Sequence, residues 1–315
     1  MDDWIYYVSG LIILLGIYLI ISFFFYRRIF LNFRHHSIQL FDPEDELNKE
    51  TYNWYKEIPK DDVYVKSYDN LKLHATYIPS HDKKSEKLAI VLHGYKSSSY
   101  DLITICKMYS DLGFKVLLID QRGHGKSEGK FTTMGHYEKY DLKKWLHYCT
   151  RSYGQNIRIL LHGVSMGAAT IALAVNFKES KNINLLVLES CFTNFKASLK
   201  LSTKIKFYRI FLWGISFFTL IFHKFLLSEI NPLKELKNAC IPTLIVHSEN
   251  DRVISEAMSK KIYENINAQI KDIITIKDSK HALAFSINKK HYIEKVVEMT
   301  DLVFNLKKAD IKKCR

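Results

Sequence analysis

The chain has few cysteines for its length, and none are paired at a metal-binding spacing. Only five occur in 315 residues, and they are Cys106, Cys149, Cys191, Cys240 and Cys314. An odd, scattered set without a Cys-x-x-Cys motif gives no indication of a disulfide framework or a zinc site. We therefore expect free thiols and no bound metal.

The chain also lacks a phosphate-binding loop and an internal repeat. Residues 120–129, Asp-Gln-Arg-Gly-His-Gly-Lys-Ser-Glu-Gly, are rich in glycine. Their spacing departs from both GxGxxG and GxxxxGK[ST], so a nucleotide cofactor is not expected. We interpret the segment as a structural turn in which Asp120 and Arg122 are bonded to the backbone.

A third absence is that of charge between Trp4 and Tyr26. These 23 residues are dominated by Ile, Leu, Phe and Tyr, and at ~1.5 Å per residue they would cross a ~30 Å hydrocarbon core. A cleavable signal peptide is the alternative. Asp2 and Asp3 replace the basic start of such a peptide and no small-residue cleavage site follows, so a retained transmembrane anchor is predicted.

The formal net charge of +13 indicates an acidic partner surface, either nucleic acid or anionic lipid. The apolar N-terminal segment favours lipid, so we expect a membrane partner and no nucleic acid. Arg27, Arg28 and Arg34 follow the segment. By the positive-inside rule they predict a cytoplasmic catalytic domain.

The rest of the chain predicts an α/β fold with a mostly parallel sheet and flanking helices. Residues 63–68 and 71–78 alternate around Asp69-Asn70, which is typical of a β-hairpin. Short apolar runs then alternate with helix-length segments. The predicted buried strands are residues 88–92, 115–119, 157–161, 185–188, 243–246 and 273–276.

Residues 163–167, Gly-Val-Ser-Met-Gly, join the predicted strand 157–161 to a small-residue helical segment. In a GxSxG turn between strand and helix, the serine adopts a strained conformation that exposes its hydroxyl. Gly163 and Gly167 are needed because side chains there would collide with the neighbouring strand and helix. We predict Ser165 as a nucleophile, although such a short pattern also arises by chance.

In a parallel sheet, functional residues collect at the carboxyl ends of the strands. Residues 93–99, His-Gly-Tyr-Lys-Ser-Ser-Ser, follow the strand 88–92. Such a loop presents backbone N–H groups to an anion, and we expect the amides of Tyr95 and Met166 to donate to an anionic oxygen of the reacting substrate. An ordinary strand-to-helix turn capped by serines is the alternative. Only main-chain donors are implied, so the identity of the side chain at Tyr95 does not test this interpretation.

Two further strand ends carry an acid and a base. Asp251 follows the strand 243–246 and His281 follows the last predicted strand. A serine hydroxyl needs an imidazole to take its proton and a carboxylate to fix the tautomer, and these residues complete that series. Glu189 is the rival for the acid. His291 is a weaker base candidate because it falls within a helical pattern.

The chain from 63 to 306 resembles the α/β-hydrolase fold family. It is most similar to bacterial membrane-anchored members grouped with prolyl-oligopeptidase-like and monoacylglycerol-lipase-like serine hydrolases. The segments that carry the resemblance are HGYKSSS at 93, DQRGHGKSEG at 120, GVSMG at 163, HSENDRV at 247 and SKHA at 278.

The resemblance implies the roles of nucleophile, acid, base and two oxyanion-hole amides for Ser165, Asp251, His281, Tyr95 and Met166. It implies no metal and no cofactor. The substrate does not follow from it, because this fold hosts esterases, lipases, thioesterases, peptidases and acyltransferases.

More than fifty residues separate the strands 185–188 and 243–246, where the family inserts a cap. Basic residues from Lys196 to Arg209 come without an acidic one, and residues 210–222 carry no charge. Thirteen residues are too few to span a bilayer but suit a buried or interfacial helix. Either a helix packed on the domain or a cap that contacts membrane or admits an acyl chain fits.

The predicted organisation is a transmembrane anchor (1–28), a linker with a short helix (29–61), a hydrolase core (62–192 and 231–308), a cap (193–230) and a basic tail (309–315). The predicted function is hydrolysis of acyl or lipid-derived carboxylic esters through an acyl-enzyme. A peptidase or thioesterase is the alternative on the same machinery, and a non-catalytic binding protein is a third hypothesis.

Overall fold

The structure is a computed structural model that describes residues 3–31, 41–202 and 208–306. The predicted basic tail 309–315 and two of the cap lysines, Lys204 and Lys206, lie outside the described residues.

Eight strands form one sheet in the order β1-β2-β4-β3-β5-β6-β7-β8. The hairpin of β1 and β2 is antiparallel and β2 pairs antiparallel with β4, whereas all pairs from β4 to β8 are parallel. The predicted mostly parallel α/β sheet is therefore confirmed. The strands are β1 (Asp61–Lys66), β2 (Lys72–Ile78), β3 (Lys87–Leu92), β4 (Lys115–Ile119), β5 (Arg158–Val164), β6 (Ile183–Glu189), β7 (Thr243–Ser248) and β8 (Lys271–Ile276).

Helices cover both faces of the sheet, which explains why its central strands are almost continuously apolar. Residues of α4, α5, α8 and α9 pack on one face, and residues of α3 and α11 pack on the other. The helices are α1 (Asp3–Tyr26), α2 (Glu46–Glu57), α3 (Ile103–Asp111), α4 (Glu138–Tyr153), α5 (Met166–Ala174), α6 (Phe195–Ser202), α7 (Tyr208–His223), α8 (Pro232–Leu236), α9 (Glu256–Asn265), α10 (Ala284–Ile287) and α11 (Lys289–Asn305).

The helix α1 continues as a π-helical turn over Arg27–Leu31. Together they form the one unbroken helix among the described residues that is long and apolar enough to cross a membrane, and its mean hydropathy reaches 2.6. Phe30 is fully buried, and its carbonyl oxygen accepts from the backbone N–H of Thr132 at 3.0 Å. The first residues of the predicted linker therefore prolong the helix and contact the hydrolase core.

The cap helix α7 packs along α1. The hydroxyl of Tyr18 donates to the carbonyl oxygen of Ile210 at 3.0 Å and accepts from the N–H of Gly214 at 2.8 Å. Further along both helices, the hydroxyl of Tyr26 is 2.7 Å from Nε2 of His223. A third apolar cluster joins α1, the cap and the start of α5.

The expectation of free thiols is correct at three positions and wrong at one. Cys106, Cys149 and Cys191 are buried free cysteines, and burial raises the pKa of all three thiols. Cys240 is disulfide-bonded. Scattered positions in the sequence carry no information about distances in the fold, so the sequence could not identify this exception.

Candidate active site

Ser165 lies in the sharp turn between β5 and α5. Its backbone has φ 55° and ψ −111°, a conformation that is costly for a residue with a side chain. A Cβ atom on Gly163 would lie 2.5 Å from the backbone nitrogen of Ala168, and one on Gly167 would lie 2.3 Å from the carbonyl oxygen of Leu92. Both glycines allow the close approach of strand and helix that exposes the serine.

The structure brings Ser165, His281 and Asp251 together. Nε2 of His281 is 2.9 Å from Oγ of Ser165, and Nδ1 is 2.7 Å from Oδ2 of Asp251. With its proton on Nδ1, the imidazole donates to the carboxylate and accepts from the serine hydroxyl. This tautomer leaves Nε2 able to take up a proton.

The side chain of Asp251 is fully buried beneath the imidazole. Burial raises the pKa of its carboxyl, whereas the hydrogen bond and the charge of His281 lower it. The backbone N–H groups of Val253 and Ile254 also donate to Oδ1, each at 2.8 Å. The net pKa is below the ordinary value, so Asp251 is a carboxylate near neutral pH.

Glu189, the rival carboxylate, has a different partner. Its Oε2 accepts from the hydroxyl of Tyr292 at 2.8 Å, and burial raises its pKa to about 6. The backbone carbonyl of Glu189 accepts from the N–H of Ser165, also at 2.8 Å. The backbone of Glu189 therefore helps to hold the turn that carries Ser165. His291 lies in the first turn of α11, where its N–H donates to the side chain of Asn288.

The loop after β3 lies directly against the serine. A Cβ atom on Gly94 would be 3.5 Å from Cβ of Ser165, so the loop that carries Tyr95 borders the hydroxyl. Met166 is the first residue of α5, a position whose N–H has no acceptor within the helix. The residues of the two candidate amides, Tyr95 and Met166, therefore both belong to segments that border Ser165.

The side chain of Tyr95 makes a contact of its own with a distant part of the chain. Its hydroxyl donates to the carbonyl oxygen of Ile29 at 2.8 Å, and burial raises its pKa to about 12. This bond links the loop beside Ser165 to the turn that ends α1. The sequence gives no sign of the contact, because the two residues are more than sixty positions apart.

The turn at 120–125 forms hydrogen bonds with the loop that follows β3. Nε2 of His93 accepts from the N–H of Gln121 at 3.0 Å, and Nε2 of His124 accepts from the N–H of Lys96 at 3.3 Å. Burial lowers the pKa of both imidazoles, to about 3 for His124. Neutral imidazoles can accept hydrogen bonds, so they hold the loop at all but acidic pH.

Arg122 corrects one expectation about this turn. Its guanidinium is fully buried and bonded to carboxylates, not to the backbone: Nε and one terminal nitrogen contact Asp141 at 2.6 and 2.7 Å, and Asp69 lies 3.0 Å away. A buried guanidinium requires opposite charge, which the backbone does not supply. Asp120 does bond the backbone, at the N–H groups of Ser99 and Lys126, but it also contacts His74.

Comparisons with known proteins identify the family of this chain. The family model described as "Serine aminopeptidase, S33" matches residues 83–218 and 218–287. The chain belongs to this family of α/β hydrolases. Its relatives include esterases and lipases, and it is a serine hydrolase of that type.

Three relatives illustrate the similarity. The chain is 28% identical to the uncharacterized protein YqkD of Bacillus subtilis, with 82% of this chain and 87% of the relative covered. It is 26% identical to lysophosphatidylserine lipase ABHD12 of Macaca fascicularis, with 82% and 70% covered. The esterase Pf2001 of Pyrococcus furiosus superposes with a TM-score of 0.64 at 25% identity, with 81% and 95% covered.

Within the ranges that the structure describes, no three His, Cys, Asp or Glu side chains are grouped so that they could hold a metal ion. The residues that sequence reasoning missed are those that support the site, namely Gln121, His124 and Tyr292, together with the side-chain contact of Tyr95. A signal existed only for the first two, which lie in the turn already assigned a structural role.

Proposed function

We propose that the protein is a membrane-anchored hydrolase of carboxylic esters. The observation that carries the proposal is the continuous chain of hydrogen bonds from Ser165 through His281 to Asp251. Membership of the S33 family supports hydrolysis by a serine nucleophile, and the lipase and esterase relatives favour an ester. The proposed division has an anchor at 1–28, a linker at 29–61, a core at 62–192 and 231–308, a cap at 193–230 and a basic tail at 309–315.

In the first step, Oγ of Ser165 attacks the ester carbonyl while Nε2 of His281 takes the serine proton. The carboxylate of Asp251 stabilises the resulting imidazolium. The amides of Tyr95 and Met166 are proposed to donate to the oxyanion of the tetrahedral intermediate. Collapse of the intermediate breaks the ester bond, and the imidazolium gives its proton to the leaving alcohol.

In the second step, water attacks the acyl-enzyme. Nε2 of His281 takes a proton from the water, a second tetrahedral intermediate forms, and its collapse returns the proton to Oγ of Ser165. The carboxylic acid then leaves. Each atom and proton is accounted for by substrate, water and the three side chains, so no metal or cofactor takes part in the proposed cycle.

An acyl or lipid-derived ester is the proposed substrate class. The apolar cluster of anchor and cap includes Met166, the neighbour of the proposed nucleophile. An acyl chain entering beside Ser165 would therefore meet apolar side chains. The name of the ABHD12 relatives, lysophosphatidylserine lipase, points in the same direction.

A peptidase is the second candidate, and the family description as a serine aminopeptidase favours it. A thioesterase uses the same machinery. Comparison of matched ester, amide and thioester substrates decides between them. Faster turnover of the amide or thioester at equal concentration would replace the ester assignment.

The test uses the full chain in detergent and a fluorophosphonate probe, which labels an activated serine covalently. Wild type should be labelled and Ser165→Ala should not. Ser152→Ala, which alters an exposed serine of α4, is the matched control. Equal labelling of wild type and Ser165→Ala would contradict the assignment of Ser165 as the nucleophile. Hydrolysis of p-nitrophenyl esters should then increase with acyl length, and a short-chain preference would contradict the lipid-derived substrate.

The catalytic domain is proposed to face the cytoplasm, because Arg27 and Arg28 follow the apolar segment directly. Protease added to intact cells should leave the domain uncleaved and cleave it after lysis. Cleavage in intact cells would reverse the orientation.

A further inference from the structure

The helix α7 has one face that nothing in the described structure covers. Phe211, Gly214 and Phe218 face α1, and Ile215 is buried in the third apolar cluster. On the remaining side, Trp213 is 83% exposed. The other large exposed residues of this stripe are Ile210, Phe217, Leu220 and Ile221. Their spacing of three or four residues makes one continuous apolar surface.

This surface continues onto α1, which carries its own exposed apolar side chains along its length. The contacts between the helices follow the same order on each, from Tyr18 beside Gly214 to Tyr26 beside His223. The two helices therefore run side by side in the same direction. A membrane that covers α1 must also reach α7.

The depth of α7 follows from the length of α1. Twenty residues from Trp4 to Phe23 span a hydrocarbon core of ~30 Å. Tyr18, beside the first turns of α7, lies five residues before Phe23, or about 8 Å below the hydrocarbon boundary. Helices that lie within a membrane interface are buried to about 5–10 Å. After α7 the chain bends by 90° into the segment 227–236, whose residues Leu233 and Leu236 pack on the sheet. The end of α7 therefore lies on the same side as the sheet.

A groove of about 840 Å³ lies between α6 and α7. Its walls include the apolar side chains of Leu212, Trp213 and Phe217, and its cations are Lys196 and Arg209. Neither cation forms an ion pair with any residue that the structure describes. An apolar groove with two cations complements a molecule that has an acyl chain and an acidic headgroup. Arg209 is long enough to reach the headgroup region from its depth.

We propose that the first turns of α7 are inserted in the bilayer leaflet next to the catalytic domain, that the rest of its exposed stripe lies in the headgroup region, and that the α6–α7 groove holds an anionic phospholipid of that leaflet. The proposal rests on the membrane anchoring in the proposed function, because α1 fixes the position of α7. It does not depend on the substrate. The bound lipid would hold the cap against the membrane, where a lipid-derived ester is concentrated.

The first test measures the depth of Trp213. The full chain is reconstituted in phosphatidylcholine vesicles whose acyl chains carry bromine, either near the headgroup or near the chain end, because bromine quenches tryptophan fluorescence on contact. The contribution of Trp213 is the difference between wild type and Trp213→Phe. It should be quenched severalfold more than that of Trp54, an α2 residue beside Lys107, taken from Trp54→Phe. Headgroup-proximal bromine should be the stronger quencher.

Vesicle flotation separates the two possible failures. A protein that does not float with the vesicles contradicts the membrane anchoring, and with it this proposal. A protein that floats while Trp213 is quenched no more than Trp54 contradicts the insertion of α7 alone. Coverage of the helix by a protein partner would give that second result.

The second test measures headgroup preference. Brominated phosphatidylglycerol should quench Trp213 severalfold more than brominated phosphatidylcholine at equal mole fraction in the same vesicles. Lys196→Gln combined with Arg209→Gln should remove this preference. The control, Lys261→Gln with Lys289→Gln, removes the same charge at exposed positions of α9 and α11 and should retain it. Equal quenching by both lipids in wild type would contradict the binding of an anionic lipid in the groove. Equal loss of the headgroup preference in both double variants would contradict it as well.

Discussion

The sheet and the α1–α7 pair are both built from apolar residues, yet they are covered in different ways. Every residue of β6 is buried between the two helical layers. Along α7, residues on one side are buried while Trp213 on the other is almost fully exposed. A folded chain in water buries its large apolar surfaces. The sheet is therefore complete in itself, whereas the helix pair requires a further apolar environment.

The difference extends to how each region supports the candidate site. The sheet fixes the three proposed catalytic side chains, each at the end of a different parallel strand. The helix pair contacts the loop beside Ser165 through the bond from Tyr95 to Ile29. Catalytic geometry is thus a property of the sheet, and the helix pair contacts the candidate site through this loop and through the apolar cluster that includes Met166.

The largest effect is expected from the carboxylate that the sheet places under His281. Asp251→Asn should lower kcat about 10⁴-fold, because the amide no longer accepts from Nδ1 and the wrong tautomer is favoured. Glu189→Gln is the matched control, since its partner is Tyr292 and not the imidazole. Steady-state ester hydrolysis by the two purified variants provides the measurement. A large loss in Glu189→Gln with little loss in Asp251→Asn would exchange the two roles.

The sheet was largely predictable from the sequence, because its signals are local. Short apolar runs predict each strand, and the two glycines around Ser165 predict the turn. The parallel arrangement then predicts that Asp251 and His281 come close to the serine, since strand ends meet at one edge. The predicted strands differ from the observed ones only at their ends: β5, β6, β7 and β8 are longer than expected, and β1 begins and ends two residues earlier.

The helix pair was not predictable, because its packing joins distant segments. Residues 210–222 indicate an apolar helix but not which surface it packs on. The tight contact between Gly214 and α1 depends on a serine almost two hundred positions away. Likewise, Arg122 could not be assigned to Asp141 and Asp69 without the fold, since sequence alone does not specify which carboxylates are buried beside it.

An intermediate effect is expected from the close approach of α7 to α1. A Cβ atom on Gly214 would lie 2.1 Å from Oγ and 2.4 Å from Cβ of Ser22, which is fully buried. Gly214→Ala should therefore force the helices apart and cost about 1–3 kcal/mol of unfolding free energy. Unfolding in detergent, followed by circular dichroism, measures the loss.

Two variants sharpen this prediction. Ser22→Gly should restore most of the stability of Gly214→Ala, because it removes the atoms that collide. Gly16→Ala is the control. Gly16 lies in α1, as Ser22 does, and no atom lies within 4 Å of the added Cβ, so this variant should lose no unfolding free energy. Equal effects of the alanine at positions 16 and 214 would show that the helices do not pack in this way.

The smallest effect is expected where the two regions meet. Tyr95→Phe removes the hydroxyl that donates to Ile29 but keeps the ring in the apolar cluster. The loss of one neutral hydrogen bond corresponds to about 1 kcal/mol. If all of this free energy is lost from the transition state, the rate of ester hydrolysis falls roughly 5-fold. Because an oxyanion donor acts in that state, kcat should fall while KM stays constant.

Tyr100→Phe is the control for this variant. Tyr100 lies shortly after the same loop and makes ring contacts with Phe41 and Tyr55, which a phenylalanine retains. Its kcat should equal that of wild type. A rise in KM without a change in kcat for Tyr95→Phe would mean that the contact with α1 shapes substrate access and not the position of the loop amide.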